Sequence, residues 1–404
     1  MAKRKTSFFT EQSLINTVRV SYNMIMSKKS GLLFLVVAML LSFPGNALKA
    51  KEKPQKVMDR VRTLSIKILE KSLQSENAFI RSAAARAAGE SEYSGLIPFL
   101  KKAAKDSYHT TRLFALQGIK KISLDEARAI SIHMSKDSNI WVRGAAIEML
   151  GELGDEALGN IIQPHLESPD RTVRYAAAGA LFKLGDESQL DILLDGLKGG
   201  SSIDRYQAIG YLGKLNDEKV IPYLEGLLNG SEDEIIFYSL KAIGKKVDKG
   251  MLPRLLSLTK HHNSSLRYQS ALTLGSLRGT SGLEALRSLC SDEDGMVRLS
   301  AAVALVRKGS SFCREVFLDT IKDADYGIRS TTARILGELE IQNREQLLSI
   351  ALMDKNIRVR TSATRAVGMM GGARAFPLLL SKLEDSEEVV RTYAAGNIIK
   401  LMKQ

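Results

Sequence analysis

The chain has 404 residues, 44% of them hydrophobic and 25% charged, which places it with folded globular chains and outside the disordered and collagen-like classes. Its net charge of +13 is uneven: residues 1–50 carry +6, residues 51–71 carry +4, and only +3 is left from Ser72 onward. A basic balance concentrated at one end is poor support for a nucleic-acid surface, which gathers its cations along the binding face.

The first element is an unbroken apolar run, Leu32–Phe43, preceded by Lys28 and Lys29 and followed by Pro44 and Gly45. Twelve helical residues rise about 18 Å, short of a bilayer core of about 30 Å, so the pattern reads as a secretory signal region over residues 1–50. Cleavage is expected after Ala47 or Ala50, and translation is expected to start at Met26, which gives a short charged leader. The competing reading is an uncleaved N-terminal anchor. Both place the body of the protein in the periplasm or at the cell surface.

Within residues 51–74, Val57 to Leu73 predicts a basic-flanked helix that caps the remainder of the chain. From residue 75 to 404 one ruler holds. Arginine recurs every 31 residues at 81, 112, 143, 174, 205, 267, 298, 329, 360 and 391, broken only by Ile236. Three residues after each anchor stands a small side chain, as in Ala84 and Ala301, and seven after it an apolar one, as in Leu150 and Leu305. These spacings put both on one face of a first helix. Glycine often stands at the eighth place, where that helix is expected to end. A second amphipathic helix comes next, with Pro98, Pro222, Pro253 and Pro377 in one column of its first turn, where proline loses no hydrogen bond. No segment shows sustained alternation, so no strand is predicted. A helix pair too small to fold alone buries its apolar face by stacking on its neighbours. The expected fold is all-α, a right-handed α-solenoid of about eleven repeats, the last truncated after its first helix. Stacked end to end, its layers would extend roughly 100 Å. The two cysteines, Cys290 and Cys313, fall late and early in neighbouring second helices, and are expected to lie beyond bridging distance.

The unit Asp-x5-Arg-x2-Ala-x3-[Leu/Ile/Val]-Gly with its 31-residue period resembles the short HEAT-like repeat named after phycobilisome lyases. The resemblance implies a concave face lined by second helices. It also implies that the arginine column pairs with an aspartate six residues earlier, in its own or the adjacent repeat. Asp106, Asp137, Asp292, Asp323, Asp354 and Asp385 occupy that place, and with Arg112, Arg143, Arg298, Arg329, Arg360 and Arg391 they make an expected structural ladder in which the aspartate caps the helix. Proteins with such repeats include chromophore lyases, scaffolds, a DNA glycosylase group and a hypusine-forming hydroxylase.

Catalysis finds no support in the residues. The five histidines make none of the His-Glu pairs that the resemblance would require of a hydroxylase, and no metal-ligand spacing appears; the pair His261-His262 reads as loop surface. No cofactor is expected. One departure from the repeat points to a partner. Immediately after the anchor, four consecutive repeats place Tyr175, Tyr206, Phe237 and Tyr268, and their entry loops hold Ser168, Gly199, Gly230 and His261 in place of aspartate. These aromatics are expected to project as a ridge, with Arg174, Arg205 and Arg267 released from their partners to meet an acidic protein. The expectation is an exported, non-catalytic, monomeric protein-binding scaffold that touches no nucleic acid and meets the membrane only through its signal segment. The resemblance leaves a phycobilin-lyase or deoxyhypusine-hydroxylase type of enzyme as the alternative.

Overall fold

The computed structural model describes residues 54–403 except 200 and 245; the signal run and its cleavage sites lie outside the described residues. Among the described residues there are 22 α-helices and no strand. A single helix, α1 (Pro54–Leu73), precedes the repeats. Ten pairs come after it: α2 (Ala78–Glu90) and α3 (Ile97–Ala103), α4 (His109–Ile122) and α5 (Leu124–Met134), α6 (Ile140–Glu152) and α7 (Gly159–Ile162), α8 (Arg171–Lys183) and α9 (Leu190–Leu197), α10 (Ser202–Leu215) and α11 (Ile221–Leu227), α12 (Asp233–Ile243) and α13 (Leu252–Leu258), α14 (Ser264–Ser276) and α15 (Leu283–Leu289), α16 (Gly295–Arg307) and α17 (Glu315–Thr320), α18 (Tyr326–Leu336) and α19 (Arg344–Leu352), α20 (Ile357–Met370) and α21 (Gly372–Leu380). The last helix, α22 (Glu388–Leu401), is a first helix without a second.

Seven of the eleven first helices begin where a short polar side chain accepts from their free N–H groups. Asn77, Asn139, Asp170, Asn263, Asp294, Asp325 and Asn356, each four residues before its arginine, are these caps. Pro98, Pro222 and Pro253 sit in the first turn of their helices as expected. Pro377 does not: α21 begins early, at Gly372, and the proline falls inside it.

The eighth-place glycines do more than end helices. A Cβ on Gly89 would stand 2.2 Å from the Cα of Gly118, and one on Gly151, Gly213, Gly275 or Gly337 would come within 3 Å of Ala180, Ala242, Ala304 or Ala366. They let one first helix lie almost against the next. Gly244, at φ +56°, and Gly337 stand just past their helices as expected. The close approaches fall at alternate seams, those leaving the first, third, fifth, seventh and ninth repeats.

Tight seams between first helices, with the second helices standing apart, make each repeat a wedge. Eleven wedges close the circle. α22 packs against both α1 and α2, so the solenoid is a ring and not the extended body expected. At the join, Ser72 Oγ lies 2.8 Å from Thr392 Oγ1, Arg62 donates to the carbonyl of Met402, and Arg365 binds Glu90 at 2.6 Å. α1 supplies the second helix that the eleventh repeat lacks. Two halves expected to cap opposite ends are complementary pieces of one repeat. A rotation of about 33° per repeat follows from eleven around a circle.

Cys290 and Cys313 form a disulfide, with Cα atoms 6.1 Å apart, against expectation. Cys290 follows the seven-residue α15, and Cys313 sits before α17 in a left-handed turn, φ +65°, so neither is held at the end of a long parallel helix. The bridge spans 23 residues and ties the seventh repeat to the eighth. Changing both cysteines to serine should lower stability by about 3 kcal/mol, the chain-entropy value for so short a loop. A thermal melt with and without reductant checks this, and reductant should shift the parent alone.

Candidate functional site

The inner wall of the ring is made by first helices, whereas the resemblance implied second helices. Contacts that skip a repeat show it. Lys214 on α10 binds Glu148 on α6 at 2.6 Å, and Arg365 on α20 binds Glu90 on α2 across the join. In both cases a residue at the fifth place after one anchor meets a residue at the ninth place after the anchor two repeats away. Only the inside of a tight curve brings such residues together. Eleven helices spaced 8–10 Å put their axes on a circle about 30 Å across, which leaves an opening of about 20 Å once the helices' own width is removed.

Those two columns carry much of the wall's charge. Among the described residues they hold nine basic side chains, including Arg86, Lys121, Lys241, Arg307 and Arg334, and four acidic ones. Each acid already meets a base: Glu90 with Arg86 and Arg365, Glu148 with Lys214, Glu152 with Lys120 and Lys183, Glu338 with Arg334. Burial opposes ionisation of Glu90, yet the hydrogen bonds and charges of its two arginines hold its carboxyl below the usual range. Tyr211 lies on the same wall, with Lys214 Nζ 4.4 Å from its ring centre; burial first, then Glu148, pushes its phenol well up. The net surplus on the wall is positive. The sequence hid it because the overall charge after Ser72 is nearly balanced.

The ladder runs around the rim where the first helices begin, and of the two pairings left open it takes the one between adjacent repeats. In five rungs the arginine reaches forward to the aspartate 25 residues later: Arg81 to Asp106, Arg112 to Asp137, Arg267 to Asp292, Arg329 to Asp354 and Arg360 to Asp385, with two hydrogen bonds or more in each pair. Its other arm donates to the carbonyls of its own entry loop. Arg143, Arg174, Arg298 and Arg391 make those carbonyl bonds without an ion pair among the described residues. Arg298 therefore meets Asp292 through its carbonyl, while the carboxylate belongs to Arg267. The aspartates do not cap helices. Each, Asp323 included, accepts from the N–H two residues on and so shapes the turn.

The forward pairing corrects the reading of repeats four to seven. Arg267 is not released but bound to Asp292, and Arg205 holds Glu232 through two hydrogen bonds. Of the three, Arg174 makes no ion pair among the described residues, because Gly199 stands where the next loop would offer an acid. The aromatics do not form a free ridge either. Tyr175 is 5% exposed, edge-on to Tyr211 and pressed against Gly196, while Tyr206, Phe237 and Tyr268 are half-buried against the core. Gly196, with no side chain of its own, gives the Tyr175 ring room to turn inward. His261 and His262, read as loop surface, have Asp233 beside them.

A family model of HEAT repeats matches residues 127–208, 237–306 and 314–398. No curated protein matches in sequence. Among solved structures, a mutant form of Kap121p is similar at 12% identity over 96% of this chain and 52% of its own, with a TM-score of 0.40, so the chain spans about half its length. Human deoxyhypusine hydroxylase is similar at 16% identity over 78% of this chain and 98% of its own, TM-score 0.32. An engineered protein is similar at 17% identity over 85% and 98%, TM-score 0.29.

Proposed function

Since the chain belongs to the HEAT-repeat family, we propose that it is a binding ring: a scaffold that holds an acidic segment of a partner protein against its inner wall. The basic surplus of that wall carries the reading. An opening of about 20 Å admits one α-helix of 10–12 Å with its side chains. Cations lining a concave wall reinforce one another's field and so attract carboxylates more strongly than the same groups spread over a convex surface. Acids interleaved among the bases suit a peptide of mixed sequence better than a uniform phosphate chain.

The same reading places the ring outside the cytoplasm. The apolar run Leu32–Phe43 supports export, and the Cys290–Cys313 disulfide supports an oxidising compartment, since cytosolic thiols are kept reduced. Fluorescence anisotropy with a labelled glutamate-rich helical peptide tests the binding. Lys121→Glu, Lys241→Glu and Arg307→Glu together should weaken it at least tenfold at low salt and flatten its salt dependence. Equal binding by the parent and the triple variant would refute the inner wall as the site, and preference for duplex DNA would refute the partner class.

A further inference from the structure

The seam between the sixth and seventh repeats has lost both halves of the ladder rung. Where six seams place arginine and, 25 residues later, aspartate, and three more keep the arginine alone, this one places Ile236, 2% exposed, and His261. An acid reappears one helical turn earlier, at Asp233 in the first turn of α12. His261 Nε2 lies 3.7 Å from Asp233 Oδ1, and His262 Nε2 lies 3.8 Å from Oδ2. Polarity across the seam is thus reversed, with the carboxylate on the earlier repeat and two imidazoles on the later.

We propose that Asp233, His261 and His262 form a divalent metal site of the zinc type. The three donor atoms lie within 4.8 Å of one another. A tetrahedral ion with bonds of 2.0–2.1 Å spaces its ligands roughly 3.3–3.5 Å apart, so through Oδ1 the His261 contact needs to close by only a few tenths of an ångström, and no pair of donors has to close by more than about 1.5 Å. Asn263 Nδ2 donates to Asp233 Oδ2 at 2.8 Å, the kind of outer hydrogen bond that orients a ligating carboxylate. Two imidazoles with one carboxylate select zinc, nickel or copper over magnesium or calcium. His262 is exposed, so an ion has a path in and water can fill the fourth position. The ion would replace the missing rung as a staple between repeats.

One bond must yield. His261 Nδ1 accepts from the Asn263 N–H at 3.2 Å, copying the turn bond that aspartate makes in other repeats. An ion on Nε2 leaves the proton on Nδ1, so the loop must release that N–H. Metal binding should therefore shift the amide resonance of Asn263.

Zinc titrated by calorimetry into the purified ring, prepared without a histidine tag, tests the site. The expected result is one saturable equivalent, weakened at least tenfold by His262→Ala, whose exposed side chain can be removed without disturbing the fold as checked by circular dichroism. Asp233→Asn should weaken it likewise, and His133→Ala should leave it unchanged. The absence of saturable binding up to millimolar zinc would overturn the proposal. So would binding that survives the double change His261→Ala, His262→Ala.

Discussion

A chain carrying Ser72→Cys and Thr392→Cys should become covalently circular under mild oxidation. The two hydroxyl oxygens are 2.8 Å apart across a sequence separation of 320 residues, and no open array could bring them together. Cross-linking would move the band on a non-reducing gel, and reductant would restore it. So long a loop also predicts a large gain in stability, about 5 kcal/mol at the upper end for a single cross-link, because the unfolded chain loses the freedom to separate its ends. A chain that stays linear would refute the ring. The sites are buried at the contact between α1 and α22, so each single variant should cost about 1–2 kcal/mol for the hydroxyl bond it breaks.

Asp292→Ala should be the most damaging single change on the ladder rim, costing about 3 kcal/mol, the lower range for breaking a buried ion pair. It takes from Arg267, whose side chain is 9% exposed, its two-bonded carboxylate partner, leaving only the longer contact to the exposed Glu293, and it removes the turn bond to Asp294. Arg298→Ala should cost only about 1 kcal/mol, since it removes neutral carbonyl acceptors' partners and no ion pair. Urea denaturation of the two variants compares them, and equal losses would mean that the forward pairing is wrong. The ladder also fixes a pH dependence. Burial disfavours the charged form of Asp106, Asp292, Asp354 and Asp385, but the hydrogen bonds from arginine and backbone N–H, with the arginine charge, hold each carboxyl below its ordinary value. A carboxyl depressed on folding stabilises fully above its unfolded pKa of about 3.9 and loses that contribution as pH falls through the folded value. Stability should therefore fall steeply below about pH 4, and Asp292→Ala should blunt the fall.

The helix pairs were legible because a 31-residue period writes the buried face directly into the sequence. The cap column, with Asn139, Asp294 and Asn356, was equally periodic, but it stands two residues after the more prominent aspartates, which drew the capping role to themselves. Direction along the ladder was not legible: a column of arginines and a column of aspartates fix a repeat distance, and pairing backward by six or forward by 25 satisfies the same spacing. The aromatics misled for a related reason. Position on a helical wheel says that Tyr175 leaves the main apolar stripe, but not that Gly196 and Gly144 leave space for Tyr175 and Tyr211 between helices. Closure was half written, as a lone second helix before the first repeat and a lone first helix after the last, and it needed curvature, which small residues set through distances that no linear pattern states.

The alternation of close seams meets the number eleven with a problem of parity. A two-beat pattern can run around a circle without a flaw only when the count is even, so an odd ring must contain a place where the beat is missed. It falls at the join. After the close seam at Gly337, Gly368 brings α20 against Asn397 out of turn, and at the next seam Gly396 meets Ala87 from the fifth place after its anchor, where the eighth is used elsewhere. The ring is therefore not rotationally uniform: it has a marked position, one helical turn out of register.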